Sequence, residues 1–261
     1  MNLDPQYIYS LFIKKNNFSL IAGPCAVESE HQLDSVASFL SSLDIKLLRG
    51  GTFKPRTDPS TFQGLGFEGL SILNKAGKKF QMYTITEIQD TDMLNSGTEL
   101  SDIIQVGARS MHNYSLLKAL GNMDKVIILK RGFGSTVQEW IGAAQYISNN
   151  GNNKIVMCER GIRTFSDSSR FTLDLASVIR LKNSTPWPVI VDPSHAAGDR
   201  NLVSPLALGA LGAGADGLII EVHNNPEAAL SDGSQSLTHE MFTKLHSQIK
   251  LHLNCFGKKI V

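Results

Sequence analysis

Short apolar, β-branched runs recur along this chain, with amphipathic stretches between them. Eight runs stand out, at 18–22, 45–48, 80–84, 103–106, 126–129, 154–157, 188–191 and 217–222. Each is too short for a helix and reads as a buried strand. Helix-period stretches follow at 29–43, 62–76, 87–94, 114–120, 137–148, 171–182, 205–212 and 238–253. Glu28-Ser29-Glu30 is an N-terminal helix signal, and Gly77, Gly121 and Gly151 sit where glycine closes helices.

Eight strand–helix alternations within about 250 residues are the arithmetic of a (β/α)8 TIM barrel. A doubly wound sheet uses the same alternation with fewer strands. The pattern predicts one α/β domain, a barrel over 18–261, preceded by a short N-terminal extension over 1–17. Phe12, Trp140 and Phe256 are expected in the core.

Composition narrows the class. Apolar residues make up 42% of the 261, charged residues 19%, and the net charge is +1. Nothing pulls the chain as a whole toward nucleic acid or a membrane. No apolar run approaches the roughly 18 residues of a membrane helix, and the first 17 lack a signal-peptide core. Three cysteines argue against a disulfide framework, and the cytoplasm is the expected location. Cys158 and Cys255 are expected to be buried.

In a barrel, the chemistry lies beyond the C-terminal strand ends. Those positions here carry Cys25, Arg49, Lys54, Arg56, Glu87, Arg109, Lys130, Arg131, Glu159, Arg160, Arg163, Asp192, His195, Glu221, His223 and Asp232. Eight of these are cations, which suits a small polyanion bearing phosphate or carboxylate groups. Gly50, Gly51, Gly107, Gly132, Gly134, Gly161 and Gly198 lie among them. Cys25, His195, Glu221 and Asp232 share no local spacing, yet a closed barrel would bring them together. One thiolate, one imidazole and two carboxylates suit one divalent metal: Zn, Fe, Mn or Co.

Several motifs resemble a known family. They are Ile21-Ala22-Gly23-Pro24-Cys25-Ala26-Val27-Glu28, Arg49-Gly50-Gly51-Thr52-Phe53-Lys54-Pro55-Arg56-Thr57, Gln105-Val106-Gly107-Ala108-Arg109 and Leu129-Lys130-Arg131-Gly132. Cys158-Glu159-Arg160-Gly161-Ile162-Arg163-Thr164-Phe165, Val191-Asp192-Pro193-Ser194-His195-Ala196 and Leu230-Ser231-Asp232-Gly233-Ser234-Gln235-Ser236-Leu237 complete the series. The chain resembles the 3-deoxy-D-arabino-heptulosonate 7-phosphate (DAHP) synthases, in the short subgroup related to 3-deoxy-octulosonate 8-phosphate synthase. The resemblance implies condensation of phosphoenolpyruvate with erythrose 4-phosphate, the first step of the shikimate pathway. By position it implies that Cys25, His195, Glu221 and Asp232 hold the metal. Arg49, Lys54, Arg109, Lys130 and Arg160 would hold phosphoenolpyruvate, and Arg56, Thr57 and Arg163 the sugar phosphate. Lys54, Glu87 and His195 would move protons, with the Lys54 pKa lowered by Arg49 and Arg56. A homodimer or homotetramer is the implied assembly.

The octulosonate enzyme usually reads Lys-Ala-Asn-Arg-Ser where this chain has Lys54-Pro55-Arg56-Thr57, which favours the four-carbon aldehyde. A class II metal aldolase and a barrel that binds phosphometabolites without catalysis are the wider alternatives. The family pattern is broken at Asp58 and Ser60, which replace its serine and tyrosine. Asp58 is expected to cap the following turn and point away from substrate. No span is left over for a fused regulatory domain, so phenylalanine and tyrosine are expected to inhibit little. Strong inhibition at micromolar concentrations in an activity assay would contradict this.

Overall fold

The computed structural model describes residues 1–54, 58, 60–94 and 99–261, so Arg56 and Thr57 lie outside the described residues. Eight parallel strands form a closed ring. They are β1 (Asn17–Gly23), β2 (Leu47–Arg49), β3 (Tyr83–Ile88), β4 (Ile103–Val106), β5 (Val126–Lys130), β6 (Ile155–Glu159), β7 (Val189–Val191) and β8 (Gly217–Glu221). They pair in chain order, and β1 bonds both β2 and β8, which closes the (β/α)8 barrel. A doubly wound sheet would leave two open edges. A ninth strand, β9 (Lys259–Ile260), pairs with Asn17 and Phe18 at the start of β1.

The strands alternate inside and outside, as side chains on a pleat must. Leu20, Leu48, Ile104, Ile127, Met157, Val189 and Leu218 face outward into one apolar cluster with the helices. Ile21, Leu47, Ile85, Ile103, Ile128, Val156, Ile190 and Ile219 form a second cluster inside the ring. The α-helices described over their full length are α1 (Pro5–Ile13), α2 (Glu30–Ser42), α3 (Gly66–Phe80), α4 (Tyr114–Gly121) and α5 (Val137–Ser148). They continue with α6 (Leu175–Ser184), α7 (Pro193–Ala197), α8 (Arg200–Gly212) and α9 (His239–Cys255). Several of their starts are capped by side chains: Ser29 on α2, Thr136 in a capping box with Glu139 on α5, and Thr238 on α9.

The N-terminal extension contains a helix that apolar periodicity did not single out. Asp4 caps α1 and Pro5 occupies its first turn. Ile8, Tyr9, Leu11 and Phe12 join the cluster inside the barrel, so α1 closes the end at which the strands begin. The Tyr9 hydroxyl donates to the Ile155 carbonyl at 3.3 Å, and burial pushes its pKa up to about 12.

Other boundaries moved. The third strand begins at Tyr83 rather than at residue 80, because α3 runs on to Phe80 and ends at Gln81 in the left-handed region, φ 55°. Glu87 and Ile88 consequently close β3 instead of opening a helix. Gly77 is not a cap but a contact point: an added Cβ would lie 2.3 Å from Thr84 Cγ2, so its absence lets α3 lie on β3. Gly121 is likewise a contact point, and only Gly151, at φ 111°, has the expected left-handed backbone. Phe12 and Trp140 are buried as expected, and Cys158 lies inside the barrel. Cys255 and Phe256 are exposed, because at the end of α9 it is Leu253 that faces the core.

Phe12 fills the closed end of the barrel at 2% exposure. Phe12→Ala is expected to cost about 3–5 kcal/mol through lost burial and the cavity left behind. Urea unfolding should show this as a lower midpoint, and an unchanged midpoint would mean that α1 is not part of the core.

Candidate active site

Inside the barrel, apolar residues give way to polar ones over a single step of the pleat. Two positions after the inward Leu47, Ile85, Ile103, Ile128, Cys158, Ile190 and Ile219 come Arg49, Glu87, Gln105, Lys130, Arg160, Asp192 and Glu221. The alternation therefore turns these side chains inward about 7 Å further along each strand. Most are almost fully buried, and Arg49, Gln105, Lys130, Asp192 and Glu221 survive there because they are paired.

Four donors meet at this end. One ligand atom from each of Cys25, His195, Glu221 and Asp232 lies within 4.8 Å of the others. Cys25 Sγ is 3.0 Å from Asp232 Oδ2 and 2.9 Å from Lys54 Nζ. His195 Nε2 is 3.3 Å from Glu221 Oε1, and Arg49 Nη1 is 3.0 Å from the same oxygen. Neither neighbour aligns as a hydrogen bond, so Glu221 Oε1 is buried without an aligned partner. The other oxygen, Oε2, accepts from Gln235 Nε2 at 2.6 Å. Asp232 reaches the group from a left-handed backbone, φ 53°. A carboxylate oxygen without an aligned hydrogen bond, beside a thiol, an imidazole and a second carboxylate, is a donor set that fits a divalent cation.

The electrostatics follow from burial and neighbours. Burial, then the Glu221 carboxylate, push the Cys25 thiol up against the pull of Lys54. Burial would raise Glu221, but His195 and Arg49 bring it below its usual range. For Asp232 burial again raises, and His195 and Lys54 more than offset it. Burial pulls His195 down, opposed by Asp192 and Glu221. Lys54 departs from expectation. Burial lowers it, but Cys25, Glu221, Asp232 and Glu87 outweigh burial and raise its pKa. The nearby acids decide the sign, not the neighbouring arginines.

Beside the four donors opens a cavity of about 300 Å³. Lys54, Glu87, Arg109, Lys130, Arg160 and His195 line it, as do Asp58, Arg170 and Asp232. Lys130 Nζ is held 2.6 Å from Asp192 Oδ2. The Arg160 guanidinium packs 4.4 Å from the Phe171 ring, and its Nη1 is buried without a partner. Glu87 Oε2 accepts from Gln105 Nε2 at 2.7 Å. Arg49 sits beneath the cavity, bound to Glu221 and to the Cys25 carbonyl. Asp58 does cap its turn, accepting from the Ser60 backbone and hydroxyl at 2.9 and 2.8 Å. It is also among the residues that line the cavity.

Not every cation of the rim belongs to this cavity. Arg131 is buried in an ion-pair network with Glu159 at 3.0 Å and Asp174 at 2.9 Å, holding β5 and β6 to the start of α6. Arg163 is exposed and lies over the Phe133 ring at 4.7 Å, away from the cavity lining. Arg170 is a lining cation that sequence reasoning missed; it sits in a loop without strand periodicity, 3.5 Å from Asp232 Oδ1. Gln105 and Gln235 were also passed over, although the two-residue alternation after Ile103 points to the first.

A sequence model of the DAHP synthetase I family matches residues 11–254. The chain belongs to this family. The phospho-2-dehydro-3-deoxyheptonate aldolase of Thermotoga maritima is 48% identical over 243 residues, 93% of this chain and 72% of that protein. A crystal structure of the DAHP synthase of that organism matches with TM-score 0.91 at 48% identity, covering 94% of this chain and 72% of the other. A truncated form of 3-deoxy-D-arabino-heptulosonate 7-phosphate synthase, also from Thermotoga maritima, matches with TM-score 0.88 at 45% identity, covering 94% and 89%. The 2-dehydro-3-deoxyphosphooctonate aldolase of Syntrophotalea carbinolica is more distant, 31% identical over 244 residues, 87% of each chain.

Within this DAHP synthetase barrel, structural and ligand-facing cations should separate experimentally. Arg131→Met leaves Glu159 buried and unpaired and is expected to cost about 3–5 kcal/mol. Arg109→Met removes an exposed cavity cation and should change stability by no more than about 0.5 kcal/mol, while weakening anion binding. Urea unfolding and equilibrium binding on both variants check this; equal stability losses would contradict the division.

Proposed function

We propose that this chain is a metal-dependent DAHP synthase. It condenses phosphoenolpyruvate with erythrose 4-phosphate and water, giving 3-deoxy-D-arabino-heptulosonate 7-phosphate and phosphate. The observation that carries this reading is the adjacency of the four-donor group to a cavity lined by Lys54, Arg109, Lys130 and Arg160. Family membership, and 48% identity to a protein named for this reaction, support it.

Arg109, Lys130 and Arg160 hold the phosphate and carboxylate of phosphoenolpyruvate, with Arg49 and Lys54 beside its reacting end. The unpaired Nη1 of Arg160 supports an anionic ligand, since a buried donor is expected to find an acceptor. Arg56 and Thr57 are assigned to the sugar phosphate; Arg163, outside the cavity lining, is not. Arg170, already on the cavity wall, is a further cation available to it.

Cys25, His195, Glu221 and Asp232 would hold one divalent ion of Mn, Fe, Zn or Co. Bound there, the ion supplies Lewis-acid polarisation of the aldehyde oxygen. Carbon 3 of phosphoenolpyruvate attacks the aldehyde carbon, water adds at carbon 2, and phosphate leaves by carbon–oxygen cleavage. Lys54, kept as an ammonium by its acidic neighbours, donates to the oxygen that becomes the new hydroxyl. Glu87 and His195 border the cavity and are placed to carry protons to and from the water. Substrates are small phosphorylated molecules. Exposed Phe67, Tyr114, Tyr146 and Phe165 offer apolar surface for a homodimer or homotetramer. No helix among the described residues is long and apolar enough to cross a membrane.

The test is phosphate release by metal-stripped protein, with Mn, Fe, Zn and Co restored singly. Phosphate should appear from phosphoenolpyruvate only when erythrose 4-phosphate is present. Faster turnover with arabinose 5-phosphate would make the chain an octulosonate synthase instead. No release with either aldehyde and any of these metals would remove the proposal.

A further inference from the structure

Asp192 is fully buried and touches both halves of the site. It ends the inward series on the seventh strand and is the N-cap of α7 (Pro193–Ala197). The cap consumes one oxygen: Oδ1 accepts from the His195 backbone N–H at 3.0 Å. The other oxygen, Oδ2, takes two side chains at once, Lys130 Nζ at 2.6 Å and His195 Nδ1 at 2.7 Å. Lys130 lines the cavity, whereas His195 Nε2 faces the Glu221 carboxylate within the four-donor group.

We propose that Asp192 is a positioning residue that fixes His195 as its Nδ1–H tautomer and couples anion binding at Lys130 to metal binding at His195. An ion-paired carboxylate is acceptor-only, so the proton shared with His195 resides on Nδ1. The Nε2 lone pair then faces the metal group, and the ring cannot turn without breaking its Nδ1 bond to Oδ2. Both partners draw on one oxygen. An anion that takes hydrogen bonds from Lys130 withdraws the ammonium from Oδ2, leaving that oxygen more basic toward His195 and its Nε2 a stronger donor to the metal. Linkage makes the effect reciprocal: a bound cation strengthens the anion site by the same factor.

The inference rests on the proposed reading for its anion, phosphoenolpyruvate, but its first measurement does not. Imidazole 15N NMR of the metal-free chain reports the His195 tautomer directly, with resonances assigned by comparison with His195→Gln. Wild type should show a protonated Nδ1 and a bare Nε2. Asp192→Asn cannot offer acceptors to the cap, Lys130 and His195 together, and should mix the tautomers or reverse them. The second measurement is Zn²⁺ affinity by competition with a chromophoric chelator. D192N should weaken it roughly 10- to 100-fold. In wild type, saturating phosphoenolpyruvate should tighten Zn²⁺ binding by about fivefold or more. Lys130→Met should keep the wild-type tautomer and lose that enhancement. An Nε2–H tautomer in wild type overturns the proposal, as does Zn²⁺ affinity in folded D192N within twofold of wild type. An enhancement that survives in K130M overturns the coupling. Should D192N fail to fold, the wild-type tautomer and K130M decide alone.

Discussion

A charge can sit inside a closed barrel only when an opposite charge or several hydrogen bonds sit beside it. Much of the reactive end of this protein follows from that requirement. Arg49 has Glu221, Lys130 has Asp192, and Arg131 has Glu159 and Asp174. Each pair joins different strands or loops, so the pairing that makes burial tolerable also spaces the side chains. A single acid is then asked to do several things. Glu221 directs one oxygen at both Arg49 and His195 and gives the other to Gln235. Removal of any partner would leave a buried charge, which makes the ring of pairs collectively rigid.

Much of the architecture was legible in the chain because barrel strands are buried on both faces and read as uninterrupted apolar runs. The four-donor group was legible for a related reason: strand ends in a closed ring converge, so Cys25, His195, Glu221 and Asp232 could be associated without any common spacing. The misplaced third strand shows the limit. Phe80 continues an amphipathic helix as well as it starts a strand, and only Gln81 turning left-handed decides the matter. The helix of the N-terminal extension was hidden for another reason: its buried side chains serve as a stopper for the ring rather than as a face against a neighbour.

Charge was harder to read than shape. Strand alternation puts Lys130 inward and Arg131 outward, yet adjacent in sequence they look alike. What separates them is Asp192 on one side and the Glu159–Asp174 pair on the other, contacts spanning up to 62 residues. The sign of the Lys54 shift failed in the same way, since the acids that set it come from the first, third and eighth strand regions. Asp58 was half legible. Its turn-capping role is local and was foreseen, but its place on the cavity wall depends on where the whole loop lies.

The ninth strand has a practical corollary. Lys259 and Ile260 pair with Asn17 and Phe18, while Cys25 lies past the opposite end of that same first strand. The strand between measures roughly 20 Å at about 3.3 Å per residue. The first helix is seated at the same far end as the ninth strand. A surface tether or fluorescent fusion at either end of the described chain would therefore hold the molecule by its base, with the cavity mouth turned toward solution.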